Sequence, residues 1–230
     1  MIKHENAVRE VAFGRHTQKL ETQFVLRQFP AWLTSPVAAE SQTWENNGLT
    51  LNDGSTELTP KLVTAYFDVE QMTQVSLELF NANFGASTNF AYFALVSENG
   101  ERAISLDGWG NAVKTSLSYH TSGGVSGTPA FTDEEVGFIG SIKKFRFNQD
   151  NQGVDRYSNA PRNIRLAIFP VEREITILEN CVTAYTLNRY IHPAGIDVNI
   201  IDFSGRWRFE VYCDNYLRIS GAELKIQQNL

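Results

Sequence analysis

A carboxylate, a tryptophan and an amide stand at alternate positions in the stretch "LDGWGN". Asp107, Trp109 and Asn111 occupy positions i, i+2 and i+4, and Gly108 and Gly110 flank the tryptophan. An indole ring offers a flat apolar face, and the two polar side chains offer hydrogen bonds, which together suit a sugar ring. The spacing therefore makes these three residues a candidate glycan-binding loop. We favour the alternative that Trp109 packs against protein, beneath its own loop or on a neighbouring subunit, since large aromatic side chains are mostly well buried.

The acidic and basic residues do not form a recognisable catalytic set. Glycoside hydrolysis needs paired carboxylates, and Asp68 and Glu70 alternate along a predicted strand, but the next position on that face is Met72. Tyr119 and His120 are adjacent, so on a strand their side chains point to opposite faces. We expect a protein without enzymatic activity, with Asp68 and Glu70 as solvated surface acids.

The histidines do not show the spacing of a zinc site, and we expect no metal centre built on them. They are His4, His16, His120 and His192. Oxygen-rich calcium ligands occur in "LNDGS" (residues 51–55) and "NQDNQGVD" (residues 148–155). An Asn-Asp-Gly turn explains the first stretch equally well, and we favour the turn and no cofactor.

The composition excludes several classes of protein. The formal net charge of −6 argues against general nucleic-acid binding, which needs a basic surface. Two cysteines, Cys181 and Cys213, do not make a disulfide framework, and we expect buried free thiols. The first residues lack the apolar run of a secretory signal and the chain lacks an 18-residue apolar stretch, which predicts cytoplasmic synthesis and no membrane span.

Apolar and polar residues alternate with a period of two over most of the chain, which is typical of half-buried strands. Together with frequent turn signals, this predicts an all-β fold, a two-sheet antiparallel β-sandwich. The expected inward-facing residues are Val75, Leu77, Leu79, Ile164, Leu166, Ile168, Trp207, Phe209 and Val211.

Residues 1–28 differ from the rest of the chain. Ala7, Val8, Val11 and Ala12 recur at near-helical spacing, with charged and glutamine side chains between the apolar positions. We expect an N-terminal arm or short helix that docks on a neighbouring subunit, although edge strands have a similar composition. Residues 29–230 then form a single sandwich domain.

The C-terminal alternation predicts a last hairpin. A three-residue loop would pair Val211 with Ile219 and Tyr212 with Arg218, which keeps the apolar residues on one face. The apolar positions shift parity after Ile219, and Gly221 at the shift predicts a β-bulge.

The same hairpin would gather a basic patch on its outer face. Arg206, Arg208 and Arg218 would share that face, with Tyr212 over Arg218 in a cation–π contact. We interpret these four residues as an interface candidate, whose guanidinium groups pair with acids of a neighbouring strand or subunit.

Three stretches carry a resemblance to a known family. "WENNGLTLNDGS", "VSLELFNANF" and "IRLAIFPVEREITILEN" resemble the strands of laminin-G or concanavalin-like jelly-roll sandwiches, over about residues 40–226. Domains of this kind are common in tailed-phage virion proteins. The resemblance implies a sandwich with a glycan-binding or assembly role, and it carries over no specific site residue.

These observations lead to three functional hypotheses. The first is a non-enzymatic virion protein of the phage tail, baseplate or capsid surface, made in the host cytoplasm, whose partners are copies of itself and other virion proteins. The second is a lectin-like module that binds a host surface glycan at Asp107, Trp109 and Asn111. The third is a glycan-active enzyme.

Overall fold

The computed structural model is almost entirely β-structure. It describes residues 7–12, 15–24, 27–54, 59–70, 72–84, 90–100, 102–109, 115–120, 135–142, 162–179, 182–187, 201–213 and 216–229. Within these ranges the strands are joined by loops and a 3₁₀ turn at Ala39–Ser41, and there is no α-helix. No helix in this part of the chain has the length and hydropathy needed to cross a membrane.

The strands of the described residues form three antiparallel sheets. The first has seven strands in the spatial order β1 (Ala7–Ala12), β2 (Arg15–Gln23), β18 (Gly221–Asn229), β8 (Met72–Ala82), β13 (Arg162–Phe169), β14 (Glu174–Glu179) and β15 (Val182–Leu187). The second has eight strands, β12 (Glu135–Ile142), β11 (Thr115–His120), β10 (Ala103–Trp109), β9 (Phe90–Ser97), β16 (Arg206–Cys213), β6 (Thr59–Thr64) and β3 (Leu33–Thr34), with β7 (Phe67–Asp68) also paired to β16. The third consists of β17 (Tyr216–Ile219), β5 (Gly48–Asn52) and β4 (Gln42–Glu45).

One hydrophobic core joins the three sheets and confirms the predicted sandwich. Leu77 of the seven-stranded sheet, Phe93 of the eight-stranded sheet and Leu51 of the three-stranded sheet belong to the same buried cluster. The alternation assigned the inward faces of β8, β13 and β16 correctly. Their buried core residues are Val75, Leu77, Leu79, Ile164, Leu166, Ile168, Trp207, Phe209 and Val211.

The N-terminal segment departs from the expected helix. Residues 7–12 and 15–23 form β1 and β2, and β2 pairs with β18 along its whole length. The near-helical spacing of Ala7, Val8, Val11 and Ala12 therefore falls on β1, an edge strand of the seven-stranded sheet. The described part of residues 1–28 therefore belongs to the sandwich, and contact with a second subunit stays a prediction.

The predicted last hairpin is wrong. β16 has partners on both sides, β9 on one and β6 and β7 on the other, so neither of its edges is open to the following strand. β17 instead pairs with β5, so Val211 does not face Ile219 and Tyr212 does not face Arg218. Sequence adjacency suggested a hairpin where the chain in fact moves to another sheet.

The parity shift after Ile219 is real, but its cause differs from the predicted bulge. At Ser220 the chain leaves the three-stranded sheet, and at Gly221 it enters the centre of the seven-stranded sheet between β2 and β8. The Ser220 amide donates to the Phe80 carbonyl at 2.9 Å, and the Phe24 amide donates to the Ser220 carbonyl at 3.0 Å. A Cβ on Gly221 would lie 2.3 Å from the Thr22 carbonyl oxygen, so this position requires glycine.

We predict that Gly221→Ala destabilises the protein by about 3 kcal/mol, at the upper end of the usual cost of overpacking, because the obstructing atom belongs to the backbone. Gly54→Ala is the control. Gly54 has a φ of +64° and nothing within 4 Å of its added Cβ, so only the left-handed conformation costs, about 1 kcal/mol. Urea unfolding measures both variants. Equal losses would show that the approach to Thr22 does not constrain the fold.

Candidate functional site

The outer face of β16 carries a ladder of polar side chains formed by Arg206, Arg208, Glu210 and Tyr212. A buried carboxylate, Glu210, lies between Arg208 and Tyr212. Glu210 is only 3% exposed. The Arg208 Nε donates to its Oε1 at 2.6 Å, and the Tyr212 hydroxyl donates to its Oε2. A buried charge is tolerated when it is paired and hydrogen-bonded, and both oxygens of Glu210 are satisfied in this way.

Tyr212 is held in its protonated form by this environment. Burial raises the pKa of its phenol above the ordinary value, and the neighbouring Glu210 carboxylate raises it further. The phenol is therefore a hydrogen-bond donor over the whole physiological pH range, and it orients the Glu210 carboxylate.

The exposed end of the ladder combines two guanidinium groups with one aromatic ring. The Arg208 guanidinium carbon lies 4.8 Å from the centre of the Tyr66 ring, and that of Arg206 lies 5.5 Å from it. Arg206 also pairs with Glu98 at 2.8 Å, where both side chains are about half exposed. This end of the ladder offers a cation–π cluster to solvent.

Strand register extends the ladder across the sheet. Tyr212 lies opposite Tyr92 of β9, and Tyr92 lies opposite Asp107 of β10. Directly opposed residues of antiparallel strands share a face, and three adjacent strands span about 10 Å. The structure therefore places Asp107 in one row with two tyrosine positions, and Trp109 is on the same face two residues further along β10.

A second row on this face carries small residues. Glu210 lies opposite Ala94, Ala94 lies opposite Ser105, and Ser105 lies opposite Ser118. Ala94 is fully buried and belongs to a small outer cluster with Val96 and Ala103, separate from the main core. This row of small residues therefore runs beside the row that contains Tyr212, Tyr92 and Asp107.

The predicted glycan-binding residues are only partly placed. β10 continues through Asp107 to Trp109, which lies opposite Phe90, so these two residues belong to a strand and not to a loop. Asn111 lies outside the described residues. Glycan binding by the three residues stays a prediction.

The interface candidate is divided between two places. Arg206, Arg208 and Tyr212 belong to β16, whereas Arg218 belongs to β17 and pairs with Glu45. The expected contact between Tyr212 and Arg218 is wrong, because the two strands lie in different sheets. Each of the three arginines pairs with an acid of this chain, Arg208 with one on its own strand, and a role in an interface is still a prediction.

The first calcium candidate has the contacts of a turn. The Gly54 amide donates to Asn52 Oδ1 at 3.1 Å, which closes an Asx turn. The Asp53 carboxylate pairs with the fully buried ammonium group of Lys61, and Thr59 donates to the same carboxylate at 3.1 Å. The Lys61 ammonium group therefore pairs with the one carboxylate of this stretch, and the second candidate, residues 148–155, lies outside the described part of the chain.

The two acids and the tyrosine–histidine pair that were considered as catalytic candidates lie as the sequence predicted. Asp68 and Glu70 are exposed, and Asp68 Oδ1 accepts the Glu70 amide at 3.0 Å. Tyr119 and His120 are neighbours on β11, so they lie on opposite faces of the strand. Cys213 is fully buried.

No group of three or more metal-binding side chains occurs among the residues that the structure describes. Of the remaining candidates, Cys181, His4 and His192 are not described by the structure.

Sequence reasoning missed Glu210 and Tyr66 as members of the site. Glu210 could have been predicted from its spacing, because alternate positions of a strand share a face and Glu210 lies between Arg208 and Tyr212. Tyr66 had no such signal. It lies in the connection between β6 and β7, and only the pairing of β7 with β16 brings that connection beside the arginines.

Comparison with solved structures supports the fold. The β-agarase A of Zobellia galactanivorans superimposes with a TM-score of 0.54 at 12% identity, covering 95% of each chain. The carbohydrate recognition domain of Emp47p superimposes with a TM-score of 0.51 at 10% identity, covering 90% of this chain and 93% of that one. No protein-family model and no curated protein sequence matches the chain.

These likenesses establish a concanavalin-like jelly-roll β-sandwich. The sequence resemblance to that fold is thus confirmed. Its association with phage virion proteins gains no support from the structures just named, which are a glycan-active enzyme and a carbohydrate recognition domain.

We predict a specific pH dependence of stability from Tyr212. Its pKa is raised in the folded protein, so its contribution to stability is complete below the unfolded value of about 10 and is lost as the pH rises above that value. Tyr212→Phe removes this loss. The variant should also be less stable at pH 7 by about 1–3 kcal/mol, because Glu210 loses a hydrogen-bond donor. Urea unfolding between pH 7 and 11 tests both effects, and parallel curves for the two proteins above pH 10 would contradict the first.

Proposed function

We propose that the protein is a non-catalytic carbohydrate-binding protein, and that the outer face of its eight-stranded sheet holds the glycan. The observation that carries the proposal is the register of β16, β9 and β10, which puts Tyr212, Tyr92 and Asp107 in one row with Trp109 beside it. Aromatic groups for stacking and a carboxylate for hydroxyl groups are what a sugar-binding surface requires.

The fixed part of this surface is the Arg208–Glu210–Tyr212 ladder. Its side chains hold each other, so little conformational entropy is lost when a ligand binds next to them. Glu210 is a positioning residue here, since Arg208 and Tyr212 occupy both of its oxygens. A carboxylate in this state is a poor nucleophile and a poor acid, which supports binding without turnover. The two similar structures are a β-agarase and a carbohydrate recognition domain, which agrees with a glycan as the ligand.

The glycan proposal is tested with a glycan array, followed by titration calorimetry on the best oligosaccharide. Trp109→Ala should weaken binding about tenfold, as expected for the loss of an aromatic stack worth roughly 1.4 kcal/mol. Trp109→Phe should retain part of the affinity, and Asp107→Asn should lower it. Glu40→Gln removes an exposed acid in the 3₁₀ turn Ala39–Ser41, outside this sheet, and should leave binding unchanged.

Two results would overturn the proposal. The first is the absence of binding to any glycan at millimolar concentration. The second is the release of reducing ends from a polysaccharide panel by the wild type but not by Glu210→Gln, which would show a glycan-active enzyme.

Self-assembly in a virion is the second function that we propose, since a sandwich can bind a glycan and also assemble. We expect the protein to form homo-oligomers, and light scattering behind size exclusion on the full chain measures this. Deletion of residues 1–28 is not a suitable variant, because it removes two strands of the seven-stranded sheet. A strictly monomeric protein at high micromolar concentration would contradict self-assembly and would leave the glycan proposal intact.

A further inference from the structure

A small cavity opens at one end of the seven-stranded sheet, on the layer opposite the proposed glycan surface. It lies where β8 and β14 begin and β13 and β18 end. Its volume is about 250 Å³, which is below the roughly 300–1,000 Å³ of sites for drug-sized ligands and suits one small group. The residues that line it are Thr73, Phe169, Glu172, Glu174 and Gln227.

Thr73 lies at an irregularity in the pairing of β8 with β18. Gln227 pairs with Gln74 and Gln228 pairs with Met72, so Thr73 is the extra residue of a bulge. Bulges re-aim side chains and are frequent beside binding sites. Thr73 is 6% exposed, and its Oγ1 is buried without a hydrogen-bond partner among the described residues. An unpaired buried hydroxyl is unfavourable unless something else bonds to it.

The polar groups around the cavity are mostly acceptors. The Gln227 amide nitrogen donates to Thr17 Oγ1 at 3.1 Å, which leaves the carbonyl oxygen of the same amide as an acceptor. Glu172 is exposed, and Glu174 accepts from the Thr176 hydroxyl at 3.1 Å.

The described lining residues carry two negative charges and no positive one. The guanidinium group of the nearby Arg173 donates to the Ile201 carbonyl and lies over the Phe203 ring.

We propose that this cavity binds a primary ammonium group on a small carbon skeleton. An ammonium group has three donors and no acceptor, and it would donate to the Thr73 hydroxyl, the Gln227 carbonyl and the Glu172 carboxylate. The Phe169 ring supplies an apolar wall for the attached carbons and attracts the cation. An amino sugar and a lysine side chain both carry this group. The site is independent of the proposed glycan surface and stands if that surface binds nothing.

The test is a chemical-shift titration of the ¹⁵N-labelled full chain with D-glucosamine and with Nα-acetyl-lysine amide. N-acetyl-D-glucosamine and Nα-acetyl-norleucine amide are the matched neutral compounds, and calcium chloride is a separate arm. Saturable shifts near Thr73 and Gln227 are expected with the two amines and not with the neutral compounds. The stronger of the two amines identifies the source of the group, and binding should weaken with added salt.

Two variants locate the site, and each has a matched control. Glu172→Gln should weaken amine binding about tenfold, whereas Glu70→Gln, the same change at an exposed acid elsewhere, should not. Thr73→Val removes the unpartnered hydroxyl at nearly constant volume, so it should keep the fold and weaken binding. Ser76→Ala removes another buried hydroxyl without a described partner that does not line the cavity, and it should leave binding unchanged.

The proposal is overturned if neither amine binds or if the neutral compounds bind equally well. Shifts near Thr73 caused by calcium and not by the amines would also overturn it, since they would make the cavity a metal site. A Thr73→Val variant that folds and binds amines as the wild type does would remove Thr73 from the site.

Discussion

The close approach of Gly221 to the Thr22 carbonyl is the constraint on which the arrangement of the sheets depends. The chain passes here from the three-stranded to the seven-stranded sheet with a single residue, Ser220, between two strands. The neighbouring backbone is fixed on both sides, because Arg218 and Asn83 exchange two hydrogen bonds and Ser220 bonds to Phe80. A side chain at Gly221 would push β18 away from β2, and β18 is the strand that connects β2 to the rest of its sheet.

Buried carboxylates are neutralised in different ways on the two outer faces of the sandwich. On the seven-stranded sheet, Glu78 and Glu223 are almost buried and share the Arg165 guanidinium group, and Lys19 pairs with Glu223 at 2.7 Å. On the eight-stranded sheet one carboxylate, Glu210, is held by a guanidinium and a phenol. The first arrangement neutralises charge across several strands, whereas the second neutralises it within one strand, between Arg208 and Tyr212.

The period-two alternation was sufficient to predict the sandwich and its inward faces, because burial of one face leaves a direct record in β8, β13 and β16. It was not sufficient for the pairing of strands. Val211 and Ile219 are both apolar and close in sequence, yet they belong to different sheets because β16 already has two neighbours.

The candidate site was predictable only where its members share a strand. Arg208, Glu210 and Tyr212 follow a simple spacing, and Asp107 and Trp109 likewise. Contacts between distant segments of the chain decide the rest. They place β9 between these two groups and bring Tyr66 beside the arginines. The N-terminal sequence did not distinguish a short helix from edge strands, since a few apolar residues on a short, polar segment fit either period.

The pairing of β2 with β18 has a consequence for how the chain acquires its structure. These strands are separated by about 200 residues of sequence, and β18 also completes the pairing of β8. In non-local strand pairing of this kind, the loop-closure entropy is lost before stabilising contacts form, so the pairing is slow. The seven-stranded sheet cannot close during synthesis until residues 221–229 have left the ribosome, and β2 and β8 present open edges until then. The growing chain therefore depends on late closure and on protection of those edges from other nascent chains.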